Sequence, residues 1–435
     1  MNKIVNIIGG GLAGSECAYQ LAKRGIHVKL YEMKPKFTDA HKNINLAELV
    51  CSNSLKNNEI TTAGGLLKEE LRKLDSLLIR VADKNRVPAG SSLSVDREKF
   101  SQEVTDILSN MENIEIIREE VTDIDVDIPT VIASGPLTSD ALSKNIMKLV
   151  GEEELYFFDA IAPIVSFDSI NFDIAYIKDR YDKGDGDYIN CPFDKGQYLK
   201  FYNALIGGES VKLKDFEKSK VYEGCMPIEV LASRGEDSIR FGPLKPIGLR
   251  DPRTNKTPYA VVQLRKETFG NEFYNIVGFQ TNLTYPEQKR IFRLIPGLEN
   301  AEFLRLGTMH KNIYIKSPKV LKETFQMRKY PNVFFAGQIS GVEGYVESIA
   351  SGMVVGLNMY QYLLGKDEIL FDKHTIIGAL CKYIAYKVGD FQPMGANMGL
   401  INYDEFKIRD KKEKNLKLAQ ISLSHIEELI KKENI

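Results

Sequence analysis

The order of apolar and polar positions near the N-terminus predicts a strand, a helix and a second strand. Residues 3–8, "KIVNII", form a β-branched run that is typical of a buried strand. The segment from Leu12 to Arg24 repeats apolar residues at four-residue spacing, and Gly25 follows it where a left-handed cap would end a helix. Residues 27–32, "HVKLYE", predict the next strand. This order is typical of a βαβ unit in a parallel sheet.

Later segments repeat this pattern on both sides of a region with a different character. Residues 130–135, "TVIASG", predict a strand that ends in small side chains, and residues 332–358 predict a strand, a glycine-rich turn and a long helix. Between residues 166 and 309, prolines and short alternating runs such as "YAVVQLRKE" favour antiparallel strands, with a helix at 284–297. The middle of the chain is therefore predicted to be a separate α+β domain.

Length, net charge and cysteine content limit the classes of protein to which this chain can belong. The chain has 435 residues, enough for about two to three domains, and its 58 basic and 59 acidic residues give a net charge of −1. Overall charge therefore does not indicate a nucleic-acid partner, although local basic patches remain compatible with one. Five scattered cysteines do not suggest a disulfide framework, so we expect reduced thiols and a cytoplasmic location. No apolar run reaches the roughly 18 residues of a membrane span.

The first turn carries a dinucleotide-binding pattern. Gly9, Gly11 and Gly14 match G-x-G-x-x-G between the first strand and the helix, and Glu32 ends the second strand. Such glycines let the backbone approach a pyrophosphate, while the acid accepts hydrogen bonds from ribose hydroxyls. An ordinary glycine-rich turn is the alternative. We predict cofactor contacts from this turn and this acid, at Gly9, Gly10, Gly11, Leu12, Ala13, Gly14 and Glu32.

A second, remote glycine cluster favours FAD over a nicotinamide cofactor. Gly337, Gln338, Gly344 and Tyr345 lie where a helix N-terminus would stabilise negative charge on a reduced flavin. Flavoproteins of the two-motif type usually have Gly-Asp at this turn, and this chain has Gly-Gln. No second G-x-G-x-x-G occurs, so NADPH or NADH is expected to dock transiently as reductant. We predict a Rossmann-like FAD-binding domain, residues 1–165 and 310–435, interrupted by an α+β insertion at 166–309 that lies over the substrate cleft.

Two of the five cysteines occur in unusual surroundings for a thiol. Cys51 precedes a polar turn in "AELVCSNSLK", and Cys225 lies at a backbone irregularity in "VYEGCMPIEV". Cys17 shares a helical face with apolar residues and is expected in the core. Cys191 and Cys381 have no comparable context and are expected to be structural. A catalytic or a structural role remains open for the first two.

Two basic stretches are candidates for contacts with phosphate groups. Residues 240–256 include Arg250 and Arg253, and residues 407–417 begin with Lys407 and include Arg409. A solvated loop and a solvent-facing helix are the alternatives. Two such stretches beside one cleft make RNA a plausible partner.

Collinear motifs over nearly the whole chain resemble one enzyme family, the folate/FAD-dependent tRNA (uracil-5-)-methyltransferases (TrmFO), which are related to the GidA flavoproteins. The matching segments include "GLAGSECAYQLAKRGIHVKLYEMKP", "ELVCSNSLK", "VPAGSSLSVDR", "YEGCMPIEVLASRGEDSIRFGPLKPIGL", "GTMHKNIYI" and "AGQISGVEGYVESIASG". The resemblance implies transfer of a one-carbon unit from 5,10-methylenetetrahydrofolate to the T-loop uridine of tRNA, with reduced FAD completing the methyl group. Gln338 is expected in this family.

The resemblance also assigns roles to individual residues. It implies that Cys51 and Cys225 are the catalytic pair and that His310 stacks on the folate pterin. C5 of uracil is a poor nucleophile until a thiolate adds to C6, so one nucleophile and one base or methylene carrier are needed. We expect Cys225 to add to C6 and Cys51 to work beside the flavin. No metal centre is predicted.

Other functions remain open at this point. The same chemistry could act on a ribosomal RNA uridine. The related flavoprotein of wobble-uridine modification carries a helical C-terminal extension for which this chain has no room after about residue 366. A flavin oxidoreductase of a small molecule and a flavin-containing RNA chaperone are further alternatives. Oligomeric state and the physiological reductant are not predicted.

Overall fold

The computed structural model describes most of the chain. The described residues are 3–36, 41, 43–151, 155–160, 162–182, 186–211, 226–266, 273–307, 309–389, 391–401, 408 and 410–435, with the backbone alone at 155–160 and 309–311. Within these ranges, no helix combines the length and the apolar composition that crossing a lipid bilayer requires.

The described residues contain sixteen strands in four sheets. In chain order they are β1 (Ile4–Ile8), β2 (His27–Tyr31), β3 (Ser54–Asn57), β4 (Arg86–Val87), β5 (Ser92–Val95), β6 (Ile114–Ile117), β7 (Thr130–Ile132), β8 (Leu155–Ala160), β9 (Ile164–Ser166), β10 (Tyr176–Ile177), β11 (Tyr188–Phe193), β12 (Ala260–Lys266), β13 (Phe273–Ile276), β14 (Phe303–Arg305), β15 (Met309–Tyr314) and β16 (Val333–Phe335).

Thirteen α-helices occur in the same described ranges. They are α1 (Leu12–Ala22), α2 (Ala63–Lys73), α3 (Leu77–Lys84), α4 (Arg97–Ser109), α5 (Asp140–Val150), α6 (Lys195–Ile206), α7 (Ile228–Ala232), α8 (Glu236–Arg240), α9 (Tyr285–Phe292), α10 (Ser317–Val320), α11 (Tyr345–Leu364), α12 (Ile376–Tyr386) and α13 (Lys411–Glu433).

A five-stranded parallel sheet orders the strands β16-β7-β1-β2-β6. The predicted β1–α1–β2 unit is confirmed, and Gly25 has the expected left-handed φ of +79°. Ile8 pairs with Tyr31 and with Ile132, so neighbouring strands end at one edge of the sheet. The residues that follow these strands, including Gly9 and Glu32, therefore meet at the carboxyl edge, where open α/β sheets bind ligands.

The middle of the chain forms a six-stranded sheet of order β10-β11-β12-β13-β9-β14. Its pairs are antiparallel, as the alternating runs predicted. Its apolar residues between 165 and 303 pack in one hydrophobic cluster, and those of 5–150 and 313–426 form another. Two cores are what a discontinuous domain with an insertion requires. The boundaries at 165/166 and 309/310 stay a prediction.

Close packing of α1 against α11 joins the N-terminal unit to the last third of the chain. A Cβ atom added at Gly352 of α11 would lie 2.3 Å from the carbonyl oxygen of Ala13 in α1. Only glycine allows the two backbones to approach this closely. The long helix predicted within residues 332–358 is confirmed as α11, and Gly352 lies on it.

Buried Glu70 connects three helices through its carboxylate. Glu70 of α2 accepts hydrogen bonds from the N–H groups of Ile376 at 2.7 Å and Ile377 at 3.0 Å, and from the Ser422 hydroxyl at 2.5 Å. These bonds satisfy the N-terminus of α12 and attach α13 to it. Burial raises the pKa of Glu70 to about 7, although the three hydrogen bonds act in the opposite direction.

Replacing Glu70 by glutamine is expected to remove part of the pH dependence of stability. Because its folded-state pKa is raised above the ordinary value of 4.5, this carboxyl stabilises the fold fully below about pH 4.5 and loses that contribution as pH rises through about 7. The wild type should therefore lose about 3 kcal/mol relative to Glu70→Gln between pH 5 and pH 8. Urea unfolding at both pH values measures this difference. Exposed Glu59→Gln is the control, and parallel pH curves for wild type and Glu70→Gln would contradict the expectation.

Candidate active site

A cavity of about 440 Å³ lies at the carboxyl edge of the parallel sheet. Residues that follow all five strands of that sheet line it, together with the loop around Cys51 and two residues of the insertion, Arg265 and Gln280. Of the predicted cofactor contacts, those that line this cavity are Gly9, Gly11, Leu12, Ala13, Glu32, Gly337, Gln338, Gly344 and Tyr345. The two predicted glycine motifs, far apart in sequence, thus share one cavity.

Gly10 and Gly14 are not among the residues that line the cavity. They determine the backbone conformation of the turn that precedes α1. The N–H of Gly10 donates to Oε2 of Glu32 at 3.0 Å. A Cβ atom on Gly14 would lie 1.9 Å from the carbonyl oxygen of Gly9, so glycine is needed for α1 to start directly on the turn. Both residues therefore act through the backbone.

Glu32 has the position and the free acceptor capacity of a ribose-binding acid. The residue is only 7% exposed, and its carboxylate accepts one backbone N–H on each oxygen, from Gly10 at 3.0 Å and from Lys34 at 3.1 Å. A carboxylate has about four acceptor positions, so two remain for hydroxyl groups of a ligand. The backbone bonds fix the direction in which the carboxylate points.

Next to Glu32 the cavity has a lining of charged residues that the sequence did not indicate. The Lys34 ammonium donates to the Asn45 carbonyl and lies 3.3 Å from the Glu48 carboxylate. His41 also lines this part of the cavity, and burial, followed by the charge of Lys34, lowers its pKa. This end of the cavity therefore offers a cation and a neutral imidazole beside two carboxylates.

The Cys51 loop is held at its backbone by Tyr345. Cys51 lines the cavity and is half-buried. The Tyr345 hydroxyl oxygen accepts the N–H of Cys51 at 2.7 Å and that of Ser52 at 3.0 Å. Burial and the neighbouring Cys51 thiol raise the pKa of Tyr345, so the phenol stays protonated at neutral pH. Since both lone pairs accept, its own proton remains available for donation.

Two guanidinium groups hold the other side of the same peptide. The carbonyl oxygen of Cys51 accepts from Arg97 at 3.4 Å and from Arg305 at 3.3 Å. Arg97 also donates to the carbonyl of Leu49, and Arg305 to that of Val50. Both guanidinium groups therefore hold the loop through its backbone carbonyls, and they fix the position of Cys51.

A third arginine connects the Cys51 loop to the insertion. Arg265 of β12 donates to Oδ1 of Asn53 at 3.1 Å and to the Ser52 hydroxyl at 3.2 Å. The Asn53 amide returns a bond to the Lys266 carbonyl at 2.9 Å. Sequence reasoning missed Arg97, Arg265 and Arg305. The signal available was Arg265, a cation that follows the apolar positions of the predicted strand "YAVVQLRK".

The remaining predicted site residues lie in different places. Gln338 donates to the Glu343 carboxylate at 2.5 Å within the cavity wall. Arg250 is exposed on the insertion, whereas Arg253 donates to the Asp251 carboxylate and to the carbonyls of Asp173 and Ile174, which favours a structural role. For His310 the structure describes only the backbone, in β15. Cys225, Lys407 and Arg409 lie outside the described residues.

The other cysteines behave as expected for core residues. Cys17, Cys191 and Cys381 are free thiols and almost fully buried. Burial raises the pKa of each well above the ordinary value, so none forms a thiolate near neutral pH. The predicted contrast with Cys51 is confirmed for these three.

Replacing Tyr345 by phenylalanine is expected to slow turnover without loss of the fold. The change leaves the N–H groups of Cys51 and Ser52 without their acceptor, which costs about 1–3 kcal/mol for each group and loosens the loop. A displacement of about 1 Å at a reacting group lowers kcat by about 100-fold. Single-turnover product formation and the visible flavin spectrum measure the two effects. Tyr362→Phe, on the same helix but bonded to Asn332, is the matched control, and a wild-type rate for Tyr345→Phe would contradict the assignment.

Comparison with known proteins decides the family. The model of the family "Glucose inhibited division protein A" matches residues 4–367. A relative from Fusobacterium nucleatum is 56% identical over 432 residues, 99% of this chain and 100% of the relative. One from Acetivibrio thermocellus is 54% identical over 430 residues, 98% and 99% of the two chains. Both are named methylenetetrahydrofolate–tRNA-(uracil-5-)-methyltransferase TrmFO.

The chain belongs to the TrmFO family. This confirms the resemblance drawn from the motifs. Among solved structures, Aquifex aeolicus GidA in its form II crystal has a TM-score of 0.71 at 18% identity, covering 99% of this chain and 76% of that one. That likeness confirms the predicted Rossmann-like α/β fold. It places the TrmFO chain in the wider fold group of GidA.

Proposed function

We propose that this TrmFO chain methylates C5 of the T-loop uridine in tRNA, with 5,10-methylenetetrahydrofolate as carbon donor and FAD as redox cofactor. The observation that carries the proposal is the half-buried Cys51 thiol, which lines the dinucleotide cavity and is held between Tyr345 and two arginines. The names of the TrmFO relatives support the reaction and the substrates. These names do not favour the two alternatives, a flavin oxidoreductase of a small molecule and a non-catalytic RNA chaperone.

The residues that line the cavity suit the pyrophosphate, ribose and flavin parts of FAD. A methyl group on Gly11 would meet no atom within 4 Å, because this residue faces open cavity at the start of α1. Gly9 and Gly11 would contact the pyrophosphate, Glu32 the ribose, and Gly337 with Gly344 the flavin end. When bound and reduced, FAD supplies the hydride that completes the methyl group. NADPH or NADH is proposed as the source of those electrons.

Two thiols divide the chemistry on the uracil ring. A thiolate adds to C6, the C5–C6 π electrons move toward C5 and O4, and C5 attacks the folate methylene carbon as one of its two C–N bonds breaks. A base then takes the C5 proton, and the second C–N bond breaks to release tetrahydrofolate and leave an exocyclic methylene group. Hydride addition to that methylene carbon expels the thiolate from C6. We assign C6 addition to Cys225 and the step beside the flavin to Cys51. Ile228, three residues after Cys225, donates to the carbonyl of cavity residue Gln280 at 2.7 Å, and three residues span at most roughly 11 Å, which supports this pairing.

Folate and RNA are assigned to the open side of the cavity. Asn312, two positions after His310 on β15, lines the cavity, which supports a pterin contact by His310. A stacked uridine must be extracted from its loop to reach the thiols, so backbone contacts by basic residues are needed. Arg250 on the insertion is proposed for this role, together with Lys407 and Arg409, which precede α13 in the sequence. Free thiols in the described chain support the cytoplasm as its compartment.

One assay tests the substrate assignment. Purified protein is incubated with labelled 5,10-methylenetetrahydrofolate, NADPH and either undermodified tRNA or undermodified ribosomal RNA. We expect 5-methyluridine at the T-loop position of tRNA and none in ribosomal RNA. If 5-methyluridine forms in ribosomal RNA alone, the substrate is ribosomal RNA instead of tRNA. If it forms in neither RNA although the protein is yellow and NADPH reduces its flavin, the proposed function is overturned.

A further inference from the structure

A cluster of two histidines and one aspartate lies outside the lining of the proposed active site. Nδ1 of His374 lies 2.7 Å from Oδ1 of Asp372, and Nε2 of His425 lies 3.9 Å from the same oxygen. One ligand atom from each of the three side chains lies within 4.8 Å of the others. The chain has only five histidines, so two of the five converge on one carboxylate.

The two imidazole rings are arranged as a pair around that carboxylate. Their centroids are 5.6 Å apart and their planes differ by 21°. Asp372 also accepts the backbone N–H of His374 at 2.8 Å, and hydrogen bonds from Thr375 to its carbonyl fix the turn before α12. The carboxylate therefore has a backbone-defined position, and both rings lie at a partly exposed surface.

We propose that Asp372, His374 and His425 form a binding site for a divalent transition-metal ion such as Zn²⁺ or Co²⁺. Two imidazole nitrogens and one carboxylate oxygen are the donor set these ions prefer, whereas Mg²⁺ and Ca²⁺ favour oxygen ligands alone. Tetrahedral coordination at metal–ligand distances near 2.1 Å places ligand atoms about 3.4 Å apart. The 2.7 Å and 3.9 Å separations reach that value by shifts of roughly 0.6 Å in opposite directions.

The solvent exposure of the three side chains and the nearby Glu428 carboxylate suit a metal site. The side chains of Asp372, His374 and His425 are 43%, 19% and 33% exposed, so water can complete the coordination. On the other ring nitrogen of His425, the Glu428 carboxylate lies 3.9 Å away. A carboxylate near the second nitrogen orients a metal-bound imidazole and raises its basicity. Three protein ligands with open positions are typical of exchangeable sites.

Metal binding here would attach the C-terminal helix to the rest of the fold. Asp372 and His374 precede α12, and His425 lies on α13, three residues after the Ser422 that bonds to Glu70. The ion would therefore close a long loop over the carboxylate that already joins α2, α12 and α13. A ligand that binds only the folded state stabilises it by mass action.

Thermal unfolding of the untagged, chelator-treated protein with CoCl₂ tests the site. At saturating Co²⁺ we expect the melting temperature of the wild type to rise by about 3 °C and a visible ligand-field band to develop without a thiolate charge-transfer band. His425→Gln and His374→Gln should lose both responses while keeping the melting temperature of the metal-free wild type within about 1 °C. His27→Ala, an exposed histidine on β2, should respond like the wild type.

The outcomes separate this site from the alternatives. A band with thiolate charge transfer, lost on Cys51→Ala and kept in His425→Gln, would assign the ion to the active-site thiol and overturn the proposal. The absence of any response in the wild type would show that the cluster is an imidazole–carboxylate ion pair only. An equal response in His425→Gln and wild type would also overturn it.

Discussion

Replacing Cys51 by alanine is expected to lower 5-methyluridine formation by at least about 10³-fold and to leave the flavin spectrum and the fold unchanged. The loop is held through its backbone, by Tyr345 at the N–H and by Arg97 and Arg305 at the carbonyl, and none of these bonds uses the sulfur atom. Removing the thiol therefore leaves these backbone hydrogen bonds in place. Methyl incorporation into undermodified tRNA, with flavin content from the visible spectrum, measures both effects.

Trapping with RNA that contains 5-fluorouridine separates the roles of the two thiols. We expect Cys51→Ala to form the covalent adduct and Cys225→Ala to lose it, because the proposed C6 nucleophile is Cys225. The opposite result would exchange the two roles. Cys381→Ala, a change at a buried thiol of α12, is the control and should retain wild-type turnover. Wild-type turnover by Cys51→Ala would remove Cys51 from the mechanism.

Gly352→Ala is expected to destabilise the protein by about 3 kcal/mol and to release FAD. The added Cβ would lie 2.3 Å from the backbone oxygen of Ala13, and no rotatable side chain can relieve that contact. Separation of α1 from α11 would displace the first glycine turn relative to Tyr345, which starts α11. Urea unfolding of the apoprotein and the FAD dissociation constant measure the two consequences.

A matched helical glycine provides the control. At Gly64 of α2 the nearest atoms to an added Cβ are 3.6 Å away, which is ordinary van der Waals contact. Gly64→Ala should therefore leave FAD binding unchanged and stabilise the fold by about 0.5–1 kcal/mol, as alanine does inside helices. If Gly352→Ala matched Gly64→Ala in stability, the close packing of α1 and α11 would not limit the fold.

The parts of this protein that the sequence predicted are those in which the signal is local. The strand, turn, helix and acid of the first motif occupy fewer than 35 consecutive residues, and their spacing alone indicates a βαβ dinucleotide site. The change to antiparallel strands in the middle of the chain was readable for the same reason, because alternation has a period of two residues. Cys51 was conspicuous because it begins a polar turn, whereas buried cysteines usually lie among apolar neighbours.

The electrostatic surroundings of that thiol were not readable from the sequence. Arg97 and Arg305 lie 46 and 254 residues from Cys51 in the chain, and the pairing of Arg265 with Ser52 spans 213 residues. Only tertiary packing brings these arginines to the Cys51 loop, and no periodic pattern in the sequence indicates that contact. The histidine pair near α13 was missed for the same reason, since 51 residues separate His374 from His425.

The long separations around the Cys51 loop also set the order in which this enzyme can mature during translation. Four groups that fix the loop enter the chain at positions 97, 265, 305 and 345. A nascent chain that stops before Tyr345 lacks the hydroxyl group that accepts the Cys51 and Ser52 N–H groups. Contacts between residues so distant in sequence form late, after a costly closure of the intervening loop. The ribosome must therefore synthesise about four-fifths of the polypeptide before the Cys51 sulfur acquires its final geometry.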